Sequence, residues 1–179
     1  MAIWIPALFI AIWYLLPAYA ANAFPPLAKG KIPLDLGKFI GKERILGNGK
    51  TLEGTTLGLI AGLATGFIQE TFHPQINSIA MQYGAQLPEM TFFLAFLITV
   101  GALFGDIIES FYKRRKGMKR GEEFLLFDQL DFVIGMIVFM YWFVPLTLEV
   151  VFLMLIITPI LHRFACIIGY HLKVKLVPW

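Results

Sequence analysis

The chain has 179 residues, 58% of them hydrophobic, with a formal charge of +3 from fifteen Lys and Arg against twelve Asp and Glu. Soluble domains carry roughly 45–50% apolar residues, so this composition excludes an ordinary soluble domain and points to a bilayer. A single cysteine, Cys166, excludes a disulfide framework and reads as a buried, inert thiol.

Residues 1–28 carry no charge, a run long enough to cross a hydrocarbon core of about 30 Å. "AYAANA" (18–23) resembles a signal-cleavage site, but the first basic residue, Lys29, follows the run, so it reads as a retained transmembrane helix. Apolar segments recur at 2–22, 54–72, 90–110, 130–147 and 149–171, each near the ~20 residues that a spanning helix needs. A backbone in lipid must satisfy its own polar groups, so helices are expected throughout. The expected fold is an all-α polytopic membrane protein, a bundle of five transmembrane helices. Residues 1–179 form one integral membrane catalytic domain with two long loops, 23–53 and 111–129.

Loop 23–53 holds six basic residues, and six more follow between Lys113 and Arg120; Arg163, Lys173 and Lys175 complete the fifteen. Five crossings put both basic loops and the C-terminus on one side, which is cytoplasmic by the positive-inside rule, and leave the N-terminus outside. The chain is then a multi-pass protein of the cell membrane. Within loop 23–53, "KIPLDLGKFIGKERIL" (31–46) mixes basic and apolar residues and reads as a segment lying on the bilayer surface. Gly54, Gly58, Gly62 and Gly66 share one helix face, suited to close packing within the bundle or across a homodimer. Pro159 is expected to bend the last helix.

The polar residues gather at one end. Asp106 and Glu109 close the third segment, and Asp128 and Asp131 open the fourth. Each pair has i, i+3 spacing, and helices joined by one loop are antiparallel neighbours, so the four carboxylates can converge at one depth. Ser110 and Lys113 extend the Asp106 face. Convergent carboxylates suit a hard cation such as Mg²⁺, and Lys and Arg suit phosphates. Together these parts describe phosphoryl or nucleotidyl transfer, with a cytoplasmic active site. The three His lie at 73, 162 and 171, with no zinc-ligand spacing and no predictable partner for Ser110. "LGNGKTLEG" (46–54) lacks the first glycine of a P-loop, position 44 being Arg. Gly47 and Gly49 still admit a phosphate close to the backbone, Lys50 adds charge, and Thr51 can cap the next helix.

"GDIIESFYKRRKGMK" (105–119) followed by "DQLD" (128–131) resembles the signature of phosphatidate cytidylyltransferases, also called CDP-diacylglycerol synthases. Ser110, Lys113, Arg114, Lys119, Asp128 and Asp131 match it. Arg120 stands where that family has Asp, and "FLLF" replaces a His-Gly-Gly segment. These departures, the short chain, "PAYAANAFPP" (17–26) and "GNGKTLEG" (47–54) are similar to the archaeal branch, the CDP-archaeol synthase family. The resemblance implies CTP and a diether lipid phosphate as partners within the lipid bilayer, no nucleic acid, and Mg²⁺ as cofactor. It implies Lys113, Asp128 and Asp131 as catalytic residues and Asp106, Asp128 and Asp131 as metal ligands. Asn48, Lys50, Thr51, Glu53, Ser110, Arg114 and Lys119 are implied around the nucleotide and phosphates. A CDP-diacylglycerol synthase, a lipid kinase and a non-enzymatic scaffold for anionic lipids use the same charged parts and remain open at this point.

Overall fold

The structure, a computed structural model, describes residues 4–119, 122, 124–171 and 173. Arg120 and Lys175, both used in the charge argument above, lie outside the described residues. Among the described residues there are five helices: α1 (Trp4–Ala23), α2 (Leu52–Gln82), α3 (Phe92–Arg115), α4 (Leu125–Met140) and α5 (Leu148–His171). A 3₁₀ turn, Pro25–Ala28, follows α1. The chain is an all-helical membrane protein apart from one two-stranded hairpin, β1 (Phe39–Ile40) with β2 (Glu43–Arg44).

Among the described residues, three segments can cross a membrane by length and composition: Trp4–Ala28, Phe92–Arg115 and Leu148–His171. The other two differ from expectation. α2 runs to Gln82 instead of ending near residue 72, passing through Pro74. Its small and polar residues, Gln69 and Glu70 among them, dilute its apolar character. α4 spans Leu125–Met140 instead of 130–147, and its 16 residues measure about 24 Å. It starts early because Asp128 Oδ2 accepts the Phe124 amide at 3.0 Å, satisfying a free N–H at the helix start. It stops before Pro145, whose preceding residue is disfavoured in helix.

α1 is the central post and contacts all four other helices. Ala7, Ala11, Tyr14, Ala18 and Ala21 are buried at alternating spacings of four and three, a seam of mostly small side chains that lets neighbouring backbones close in. Pro17 lies inside this helix. Its missing N–H leaves the Trp13 carbonyl without its usual intrahelical donor. Gln69 of α2, 3% exposed, supplies the substitute: its Nε2 donates to the Trp13 carbonyl oxygen at 2.8 Å. The presence of a buried amide in an apolar helix thus follows from a proline on its neighbour. Nearby, Trp13 Nε1 donates to the Pro88 carbonyl at 3.0 Å, and Asn77 Oδ1 accepts the Leu87 amide at 2.8 Å.

The glycine face of α2 is used inside the chain. Gly54, Gly58, Gly62 and Gly66 are all buried. A Cβ at Gly58 would meet the Ala21 carbonyl of α1, and one at Gly62 or Gly66 would meet Thr99 or Ala95 of α3. That face is therefore closed to a homodimer.

Loop 23–53 has internal order: it folds around Asp35. The Asp35 carboxylate pairs with Arg44 and accepts the amides of Gly37 (3.0 Å), Leu46 (2.9 Å) and Gly47 (3.0 Å). Burial pushes this carboxyl up, but the Arg44 guanidinium and the three amides outweigh burial and hold it well below the usual carboxylate range. Arg115, the last residue of α3, fastens the hairpin through the carbonyls of Ile40 (3.0 Å), Glu43 (3.3 Å) and Arg44 (2.6 Å).

Two measurements check these relations. Gln69→Leu strands the Trp13 carbonyl and should destabilise the fold by about 1–3 kcal/mol, read as a lower Tm in detergent. Adding Pro17→Ala restores an intrahelical donor, so the double variant should regain part of the loss. Additive losses would break the pairing. The lowered Asp35 value means that its contribution is fully present above the unfolded value of about 3.9 and is lost as pH falls below it. Normalised hydrogen-exchange protection of residues 36–47 should therefore hold from neutral pH down to about 4 and decline below. Asp35→Asn should show reduced protection at every pH.

Candidate active site

One end of the bundle holds a cavity of about 720 Å³, bordered by loop 23–53 and by residues from all five helices. That volume lies within the roughly 300–1,000 Å³ typical of ligand sites. Its floor is set by the α3–α4 contact. A Cβ at Gly105 would strike the Asp131 carbonyl oxygen, and one at Gly135 would strike the backbone of Gly101 and Gly105. Helices that touch backbone to backbone bring their adjacent side chains to the same point. Asp106 follows Gly105, and Asp131 lies one turn before Gly135.

The outcome is a triad of carboxylates: Asp106, Glu109 and Asp131 each offer an oxygen within 4.8 Å of the others. Among the described residues this is the one group of three or more candidate metal ligands. An all-oxygen donor set fits a hard cation such as Mg²⁺ and lacks the Cys and His that favour zinc. It includes the expected Asp106 and Asp131, with Glu109 beside them; the expected Asp128 stands next to this group, paired with Lys113 and accepting the Phe124 amide. Lys113 Nζ lies 2.7 Å from Asp128 Oδ1 and 3.1 Å from Glu109 Oε1. Ser110, which is buried, donates its hydroxyl to Glu109 Oε2 at 3.4 Å.

Cations close the opposite wall. Lys50 reaches from the loop to pair with Asp106. Burial works against its charge, but the Asp106 carboxylate, with Asp131 and Glu109 farther off, raises its pKa and keeps it protonated. Arg114 lies against Gly47, its Cδ 3.5 Å from where a Cβ would stand. Gly47 has φ +82, a conformation that glycine adopts without strain, so both its backbone and its missing side chain suit the contact. Arg114 Nε is buried with no hydrogen-bond partner among the described residues. Asn48 accepts from Arg44 Nη1 at 2.9 Å, so the Asp35–Arg44 unit also orients this edge of the cavity.

Nine of the anticipated residues line the cavity: Asn48, Lys50, Thr51, Asp106, Ser110, Lys113, Arg114, Asp128 and Asp131. Thr51 also caps α2, its hydroxyl accepting the Gly54 amide at 3.2 Å. Glu53 and Lys119 are not among the lining residues. The Glu53 carboxylate accepts the amides of Lys31 at 3.0 Å and Ile32 at 3.2 Å, which ties the loop to the start of α2. The Lys119 amide donates to Glu122 Oε2 at 2.8 Å. Several contributors escaped the sequence reading. Asp35 and Arg115 hold the loop, and neither lies in a recognisable spacing. Tyr19, Asn22, His162 and Cys166 line the far wall. Cys166 is buried as expected, 3.5 Å from His162 Nδ1, but it borders the cavity. His73 sits in a second, small cavity with Glu70 and Glu89, its Nε2 3.0 Å from the Leu87 carbonyl oxygen.

Known proteins resemble this chain along most of its length. Residues 4–179 match a family model described as "CarS-like: CDP-archaeol synthase". A CDP-archaeol synthase of Methanocaldococcus jannaschii is 41% identical over 175 residues, covering 96% of this chain and 97% of that protein. The CDP-archaeol synthase of Methanospirillum hungatei is 39% identical over 172 residues, covering 92% of this chain and all of that protein. A solved structure of an intramembrane enzyme for archaeal membrane lipids biosynthesis superposes with a TM-score of 0.72 at 34% identity, covering 87% of this chain and 91% of that one. With a match that runs almost from end to end and relatives of the same length, the chain belongs to the CDP-archaeol synthase family.

Proposed function

We propose that this chain transfers the cytidylyl group of CTP to 2,3-bis-O-geranylgeranyl-sn-glycerol 1-phosphate, forming CDP-archaeol and pyrophosphate. The observation that carries the reading is the meeting of three carboxylates with Lys50, Lys113 and Arg114 in one cavity at the end of an apolar bundle. An oxygen of the lipid phosphate bonds to the α-phosphorus of CTP, and the bond from that phosphorus to the bridging oxygen breaks as pyrophosphate leaves. The nucleophile is already ionised near neutral pH, so no general base is required. This explains a site rich in charge with no His among the carboxylates.

Asp106, Glu109 and Asp131 would hold Mg²⁺, which when bound supplies positive charge against the triphosphate. Lys50 from the loop and Arg114 from α3 both border the cavity and neutralise phosphate oxygens, Arg114 through a planar fork suited to two oxygens at once. Lys113 is held by Glu109 and Asp128 and serves the same purpose from the α3 face. Asp128 acts as its positioning residue. Asn48 and Thr51 border the nucleotide side. Apolar faces of the helices keep the prenyl chains at bilayer depth. The proposal includes five crossings of the cell membrane, with the N-terminus outside and the C-terminus and active site cytoplasmic. The basic loops support that orientation through the positive-inside rule.

Purified protein incubated with labelled CTP, Mg²⁺ and the diether phosphate should release pyrophosphate and form a CDP-lipid, with little product from a diester phosphatidic acid. A nucleoside diphosphate as product would make it a kinase instead. Asp131→Asn should lower kcat by about 10²–10³-fold with Tm held near that of wild type. Asp128→Asn should act through Lys113, raising KM for CTP or lipid phosphate, while Glu109→Gln should shift the Mg²⁺ dependence. Full activity in both Asp131→Asn and Glu109→Gln would remove the metal assignment.

A further inference from the structure

The hairpin of loop 23–53 has no part in the chemistry just described, yet it carries three exposed apolar side chains. Leu36 is 65% exposed, Phe39 61% and Ile40 51%. Gly37 and Gly41 bracket the tip, with nothing within 4 Å of where their side chains would stand. Lys38 and Lys42 alternate with the apolar residues and are exposed, and no acidic residue occurs between Leu36 and Lys42. Glu43 follows in β2, so the exposed tip carries two ammonium groups and one carboxylate, and water is a poor solvent for its apolar side chains. An anionic lipid surface satisfies both halves, taking the apolar side chains among its headgroups and the ammonium groups against its phosphates.

The attachment fixes the hairpin at the right depth. The 24 residues of α3 measure about 36 Å at 1.5 Å per residue, more than the roughly 30 Å hydrocarbon core. A helix of that length centred on the core puts its last residue, Arg115, at headgroup level. Arg115 holds three carbonyls of the hairpin and stacks on Phe111 at 5.3 Å, so the hairpin hangs at that level. Arg44, opposite Phe39 in the register, reaches both Asp35 and Asn48. A shift of the hairpin is thereby carried to the cavity edge.

We infer that the Leu36–Lys42 hairpin is an interfacial anchor that inserts into the anionic headgroup layer beside the active site and holds the Asn48 edge of the cavity at the lipid surface. The inference rests on a membrane location for the chain but not on the reaction, and its test reads insertion depth without turnover. Full-length Ile40→Cys in a Cys166→Ser background, labelled with an environment-sensitive NBD fluorophore, is reconstituted in vesicles with and without phosphatidylglycerol. We expect blue-shifted emission, stronger quenching by a nitroxide near the lipid headgroup than by one at mid-chain, and deeper quenching when phosphatidylglycerol is present. Lys38→Gln with Lys42→Gln should abolish the dependence on anionic lipid, and a retained dependence would sink the electrostatic half of the idea. Quenching by aqueous iodide with none by lipid nitroxides would overturn the anchor. So would energy transfer between differently labelled copies, which would mark the hairpin as a contact between chains. An inactive protein that still gives headgroup quenching would count against the proposed reaction alone.

Discussion

The close backbone contact between α3 and α4 is the constraint on which the rest depends. At Gly105 a single added Cβ would collide with the Asp131 carbonyl oxygen, so the two helices meet with no side chain between them. Only at that separation can Asp106 and Glu109 on one helix and Asp131 on the other share a volume of ion size. Three carboxylates so close would repel one another strongly in a medium of low polarity. Lys50 and Lys113 answer that charge from two sides. The site is thus a balance of opposed charges imposed by helix packing.

The loop completes what the helices begin. α3 and α4 supply carboxylates, but Lys50 and Asn48 come from a segment with little regular structure. Its order derives from Asp35, a buried charge satisfied by one guanidinium and three amides, and from Arg115, which ties the hairpin to the end of α3. The carboxylates of the site and the loop are therefore joined through α3. The same logic appears at the other end of the bundle, where Gln69 answers the carbonyl that Pro17 leaves unpaired. In an apolar environment a stray backbone group is costly unless paired, and that need accounts for the buried amide of Gln69.

Much of this was legible in the residues. Apolar runs of spanning length mark helices because the bilayer allows few other backbones. The i, i+3 pairs at Asp106 and Glu109 and at Asp128 and Asp131 announce a convergence, because helical periodicity is a local property. The match of Ser110, Lys113, Arg114, Asp128 and Asp131 to a cytidylyltransferase signature narrowed the chemistry further. The boundaries of α2 and α4 were less legible. Whether Pro74 ends a helix, and how early α4 starts, depends on partners distant in sequence or on a side chain reaching back to a free amide.

Sequence alone therefore determined the class of protein, the end at which its charge collects and the kind of chemistry that such charge performs. All three follow from composition and from spacing along one chain. The tertiary structure decided which carboxylates stand together, placing Glu109 beside Asp106 and Asp131 and pairing Asp128 with Lys113. It set the Glu53 carboxylate on the Lys31 and Ile32 amides and revealed Asp35, Arg115 and Gln69 as residues that hold the loop and the helices in place. Those assignments depend on distances between segments far apart in the chain, and only packing, down to single missing methyl groups at Gly105 and Gly135, sets such distances.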